Sequence, residues 1–200
     1  WAVPGKNYGQ EILMIRDAAH APDGSDAALR AANAHLMQAA DADGYIYRGL
    51  VHLRRNAYDE ALADFTAAQK RAEPYLGIAL AHTGAGNVKE ARRAYEVYLK
   101  VAPDDAAALH NYGLALLAEG NAAKAVTLLR DAIRRAPTNA ASYSALAVAL
   151  IHTKDYTGAW STLADGAAIA PANTDILINQ ILLQGCLKDA DDKKHGKKKK

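Results

Sequence analysis

Three prolines, Pro103, Pro137 and Pro171, stand 34 residues apart. Proline cannot donate the next backbone hydrogen bond, so each is expected to end a regular element. A fixed interval of this length marks a chain built from one supersecondary unit used repeatedly. The segments between the prolines align without gaps. Gly86-Asn87, Gly120-Asn121 and Lys154-Asp155 share one turn, Ala91, Ala125 and Ala159 share a small position, and Tyr95, Leu129 and Leu163 follow four residues later. Composition decides between helix and strand. Of the 200 residues, 46 are Ala and one, Phe65, is Phe. Ala has the best helix propensity and lets helices approach closely, whereas a sheet core wants Val, Ile, Thr, Tyr and Phe.

These units resemble the tetratricopeptide repeat family, whose pattern runs large residue, Leu-Gly, Tyr, Ala, Phe, Ala, Pro. Residues 106–139 fit best: Leu109, Tyr112, Gly113, Leu116, Ala125, Leu129, Ala132 and Pro137 fill the eight signature positions. Residues 140–173 carry Tyr143, Leu146, Ala147, Leu150, Ala159, Leu163, Gly166 and Pro171. Residues 72–105 depart from the pattern at His82 and Tyr98, and an earlier unit, 42–71, reads Tyr45, Gly49, His52, Ala61, Phe65 and Ala68. The resemblance implies an all-α, right-handed α-solenoid of four helix–turn–helix repeats with capping helices. Small residues let the two helices of a unit pack closely, with Gly113 expected against Ala125, and Ala132 lets the next unit dock. A single hairpin cannot bury both faces, so units must stack. Ala61 to Ala91 is 30 residues rather than 34. About one helical turn is missing near Pro74, so the helix that follows should be short or tilted, whether as a neutral deletion or as a hinge.

The ends are less regular. Residues 7–20 and 25–40 are each helical in pattern and are joined by Ala21-Pro22-Asp23-Gly24-Ser25, with Ser25 or Asp26 as N-cap. Residues 1–41 are therefore expected to form a capping hairpin or a diverged fifth repeat. Residues 174–187 read as a capping helix, and residues 188–200 as a disordered tail. Six Lys lie in Lys193–Lys200, and without them 18 basic residues face 22 acidic ones. The body is mildly acidic and the tail basic, which is not the broad basic face of a nucleic-acid-binding fold. The longest apolar run, Ile176–Leu183, is interrupted by Asn179 and Gln180 and is too short to span a bilayer. The chain starts at Trp1, so removal of an upstream leader is expected, and the location stays open between cytoplasm and periplasm.

Residues for chemistry are sparse. Cys186 is the only cysteine, which excludes a disulfide within the chain and a zinc site built on cysteine pairs. The seven His form neither a His-x-x-x-His nor a His-Glu-x-x-His spacing. His52 and His82 occupy equivalent places in successive units, so a metal or pH-sensitive pair is conceivable, beside the plainer reading of two independent, partly buried rings. No catalytic constellation is found, and no cofactor or metal is expected.

The resemblance instead implies a binding groove on the first helix of each unit. Its positions are Ile46, Tyr47, Leu50, Leu53 and Arg54 in the first unit, Leu76, Gly77, Leu80 and Thr83 in the second, and His110, Asn111, Leu114 and Leu117 in the third. The fourth unit gives Ser144, Ala145, Val148, Ile151 and His152, and the last helix gives Asp175, Ile178, Asn179 and Leu182. Of the Lys/Asn/Arg set with which some family members clamp a carboxylate terminus, only Asn111 is present. The groove is largely apolar, and Asn111 and Asn179 stand at one repeat position, where each can offer a donor and an acceptor to an extended peptide. The expected role is a non-enzymatic scaffold that binds a peptide or helix of a partner protein. Its Ala-rich units and Gly-Asn turns are similar to bacterial members in secretion and pilus assembly, such as the TadD type. The alternatives are an adaptor whose Lys tail binds RNA or anionic membrane, and a scaffold that self-associates, its groove covered by Trp1–Tyr8 or a second copy.

Overall fold

The structure, a computed structural model, describes residues 23–69 and 74–196. The described residues form ten helices and no strand. In order these are α1 (Asp26–Gln38), α2 (Ala42–Arg54), α3 (Tyr58–Gln69), α4 (Tyr75–Gly84), α5 (Val88–Val101), α6 (Ala106–Ala118), α7 (Ala122–Arg135), α8 (Ala140–His152), α9 (Tyr156–Ile169) and α10 (Thr174–Gly196). The chain divides after Pro103 into two units, α1–α5 and α6–α10.

The turn inside each repeat is built the same way. Asn56, Gly86, Gly120 and Lys154 all have positive φ, at 57°, 76°, 80° and 64°. The next amide donates back to the carbonyl five residues earlier: Ala57 to His52, Asn87 to His82, Asn121 to Leu116 and Asp155 to Leu150, at 2.8–2.9 Å. This left-handed closure satisfies the last carbonyls of the first helix and sends the chain back antiparallel. Glycine reaches that conformation without strain, and Asn56 and Lys154 hold it only because the packed hairpin enforces it.

In the first unit each helix packs on the next, and α2 also meets α4. The core gathers Ile46, Leu50, Ala61, Phe65, Ala68 and Ala81. Phe65 is fully buried between two glycines: a Cβ on Gly49 or on Gly77 would lie 2.7 Å from its ring. Beside it runs an ion pair in which half-buried Arg48 donates from Nε and Nη2 to buried Asp64 at 2.9 and 2.6 Å. α4 has 10 residues where α2, α6 and α8 have 13, so the missing turn near Pro74 is taken from the start of this helix.

In the second unit α6, α8 and α10 lie side by side, with α7 wedged between α6 and α8 and α9 between α8 and α10. Gly113 receives Leu129, whose Cγ would stand 2.7 Å from an added Cβ. Leu129 follows Ala125, the small residue expected opposite Gly113, by one turn, and both are fully buried. Gly166, at the repeat position of Ala132, meets Tyr143 and Ile176 and so seats both α8 and α10.

Two further expectations meet the structure at the ends. Ser25 caps α1, accepting from the Ala28 amide at 3.1 Å. The helix expected over 7–20 lies outside the described residues, as do Trp1–Tyr8 and Lys197–Lys200. The tail expected to be disordered from Lys188 is instead helical up to Gly196. Lys188, Ala190, Lys193 and Lys194 in that stretch have good helix propensity and continue α10 through it.

Truncating Phe65→Ala should leave a cavity that two glycines cannot fill. The expected loss is about 3–5 kcal/mol, read as a lower urea midpoint with native helicity retained in buffer. A loss under about 1 kcal/mol would contradict this packing.

Candidate functional site

In the second unit the first helices begin in one register. Asp105 accepts from the amides of Ala107 and Ala108 at 3.0 and 3.2 Å, Asn139 from Ala141 at 3.2 Å, and Asn173 from Ile176 at 3.0 Å. These N-caps are 34 residues apart and fix where α6, α8 and α10 start. Equivalent side chains therefore stand at one level: His110, Ser144 and Ile178 in one row, and Leu114, Val148 and Leu182 in the next.

Between these helices lies an open hollow of about 230 Å³. His110, Leu114 and Leu117 of α6 line it, with Ala141, Ser144, Ala145 and Val148 of α8 and Asp175 of α10. Leu114 is 40% exposed, and the exposed Ile178 and Leu182 lie on α10. His110 Nδ1 is 3.1 Å from Ser142 Oγ, and burial lowers its pKa, so the ring lines the hollow in the neutral form. Ser142 itself is fully buried.

Of the groove residues expected from sequence, His110, Leu114, Leu117 and Val148 come together here, as do Ser144, Ala145 and Asp175. Half-buried Asn111 and Ile151, and exposed His152, lie outside the lining. Asn179 requires a correction. It is buried and donates its amide to Ser144 Oγ at 2.8 Å, so it ties α10 to α8 rather than facing a ligand. Leu50 and Leu76 also require one. They are 6% and 4% exposed and are spent on the core of the first unit, as are the fully buried Ile46 and the buried Gly77, where the close approach at Gly49 and Gly77 draws them inward. Leu80 is half-buried, and Tyr47 lines a separate hollow between α1 and α2 with Ala31, Ala32, His35, Asp43 and Gly44.

Sequence reasoning missed Ala141 and the Ser142–His110 link. The signal for the second was a serine inside an otherwise apolar helix, where it needs a polar partner. His52 and His82 are placed apart in role. His52 Nε2 is 3.7 Å from Asp64, while His82 lines a hollow with Tyr75, Ile78, Glu90 and Arg93. Among the described residues no three His, Cys, Asp or Glu side chains are grouped to hold a metal, and no helix is long and apolar enough to cross a membrane.

Two family models described as tetratricopeptide repeat match, one over residues 76–140 and one over 116–178, which together span about half of the chain. A comparison with curated protein sequences gives no match. Several solved structures are similar. MamA from Desulfovibrio magneticus is 16% identical, with 84% of this chain and 94% of that one covered and a TM-score of 0.68. YrrB, described as a TPR protein with an unusual peptide-binding site, is 17% identical, with 90% and 92% covered and a TM-score of 0.67. The TPR2B domain of yeast Sti1, in complex with pHsp70, is 22% identical, with 58% and 96% covered and a TM-score of 0.53. At these identities the likeness shows the fold, an all-α helical-repeat solenoid.

The histidines give a pH prediction. Burial depresses the pKa of both His110 and His82. The unfolded chain then takes up protons first as pH falls. The stability contributed by the neutral rings is complete above the ordinary value of about 6.5 and is lost below it. Urea midpoints should drop between pH 7 and pH 5, and the drop should shrink in His82→Gln/His110→Gln. An equal drop in that variant would assign it to other groups.

Proposed function

Since the chain belongs to the tetratricopeptide repeat family, whose repeats generally serve as non-catalytic interaction modules, we propose that it is a protein-interaction scaffold that holds a peptide segment of a partner on the α6–α8–α10 face. The observation that carries this reading is the open hollow with an exposed leucine at its mouth. Leu114 is left 40% in water although its neighbours Ala115 and Leu116 are buried. Ile178 and Leu182, at the equivalent positions of α10, are exposed as well, and exposed apolar surface of this kind marks an interaction site. An apolar side chain of a partner fits a hollow of this size, while Asn111, half-buried on the same helix, supplies a donor and an acceptor for its backbone. The peptide-binding site named for YrrB and the complex formed by the Sti1 domain support the reading by family analogy. A role in bacterial secretion or pilus assembly is proposed only on the similarity of the Ala-rich units and the Gly86-Asn87 and Gly120-Asn121 turns to bacterial members of the family.

A random-peptide display library panned against the full chain tests this. Enriched peptides should bind the protein and lose about tenfold in affinity, ~1.4 kcal/mol, in Leu114→Gln. Circular dichroism of both proteins should be the same. Peptides bound equally by both would move the site elsewhere.

A further inference from the structure

The electrostatics of the hollow are one-sided. α6 and α8 contain no Asp, Glu, Lys or Arg, and α10 has a single charged residue before Lys188, which is Asp175. Asp175 is exposed and lines the hollow, and it makes no ion pair among the described residues. The other ionisable group in the lining, His110, is neutral by burial. The basic residues nearest in sequence to this face sit on other elements: Lys124, Arg130, Arg134 and Arg135 on α7, and Lys154 in the α8–α9 turn. A ligand in the hollow therefore meets mainly apolar walls, with the polar groups of His110 and Ser144 and one carboxylate.

Resting on the peptide-binding reading above, we propose that this site selects segments in which Lys or Arg stands close to the apolar anchor, with Asp175 as the specificity-determining residue. The anchor fills the space between Leu114, Leu117 and Val148, and the cation pairs with the carboxylate at the rim. No basic group of the lining competes for the carboxylate. An acidic residue at the same place in the ligand would face Asp175 and be repelled. The first turn of α10 favours a carboxylate at this position as well, through the helix dipole. That role is satisfied by any short acidic side chain and does not require that it border a hollow. The preference is opposite in sign to that of a clamp for carboxylate termini, whose basic residues this face lacks.

The test pans the same random-peptide library against the full-length wild type, Asp175→Asn and Asp175→Lys, after circular dichroism shows equal helicity. Wild type should enrich peptides with Lys or Arg within a few residues of Leu, Ile or Phe. A synthetic peptide of that consensus should weaken about three- to fivefold when its basic residue becomes Glu, as expected for a partly exposed pair. The bias should vanish in Asp175→Asn and reverse toward Asp and Glu in Asp175→Lys, and wild-type affinity should fall with added NaCl. Enrichment of apolar peptides without a basic bias, or a bias unchanged in Asp175→Lys, overturns this inference and leaves the peptide-binding reading standing. Absence of enrichment, or enrichment indifferent to Leu114→Gln, overturns both. Asp175→Asn removes the charge with almost no change in size, so a folding defect confined to Asp175→Lys still leaves a decisive arm.

Discussion

Phe65 sits where two Cβ atoms are missing. Its ring presses on Gly49 of α2 from one side and on Gly77 of α4 from the other, so three helices meet around one side chain. Helices of this kind pack at the distance their smallest residues allow, and the large residue opposite must then fill the remaining space without voids. The same bargain recurs in the second unit, where Leu129 lies on Gly113, and where Tyr143 and Ile176 close on Gly166. In both units the stacking of first helices depends on it. A methyl group at any of these glycines would push a first helix off its neighbour and disturb the face on which the binding residues stand.

That face is also a matter of register. The four left-handed turns at Asn56, Gly86, Gly120 and Lys154 end each first helix in the same manner. Asp105, Asn139 and Asn173 start the first helices of the second unit in the same manner. With both ends fixed, a 34-residue period becomes a spatial row. His110 aligns with Ser144 and Ile178, and Leu114 with Val148 and Leu182. The hollow exists because small residues, Ala141, Ser144 and Ala145, sit on α8 between the larger ones of α6 and the start of α10. Its chemistry follows from where charge is absent. α6 and α8 are packed by neighbours on several sides and contain no Asp, Glu, Lys or Arg, while α7, with one side to water, carries Lys and Arg. Asp175 is thereby the one carboxylate among the residues that line the hollow.

How much of this could be read from the chain itself differs from residue to residue. The proline interval, the Gly-Asn turns and the alanine positions determined the helix pairs and their order, because each is a local requirement: a helix stop, a positive φ, a close approach. The shortening of α4 was legible too, as an interval of 30 residues where 34 was the rule. Repeat position also brought His110, Leu114, Leu117 and Val148 to one place. It failed for Leu50, Leu76 and Asn179, which share the repeat positions of groove residues yet are buried. Position in a repeat states which face a residue is on, and not how deeply the neighbouring helices cover it. That depth is set by Phe65 between its two glycines and by Asn179 reaching Ser144 across two helices, 35 residues apart in sequence. The length of α10 was missed because composition distinguishes a charged helix from a charged coil poorly. The sequence alone thus determined the repeat, because its signals are local. Only the tertiary structure decided which of the repeated positions remain open to a ligand, because burial is a property of the packed neighbours.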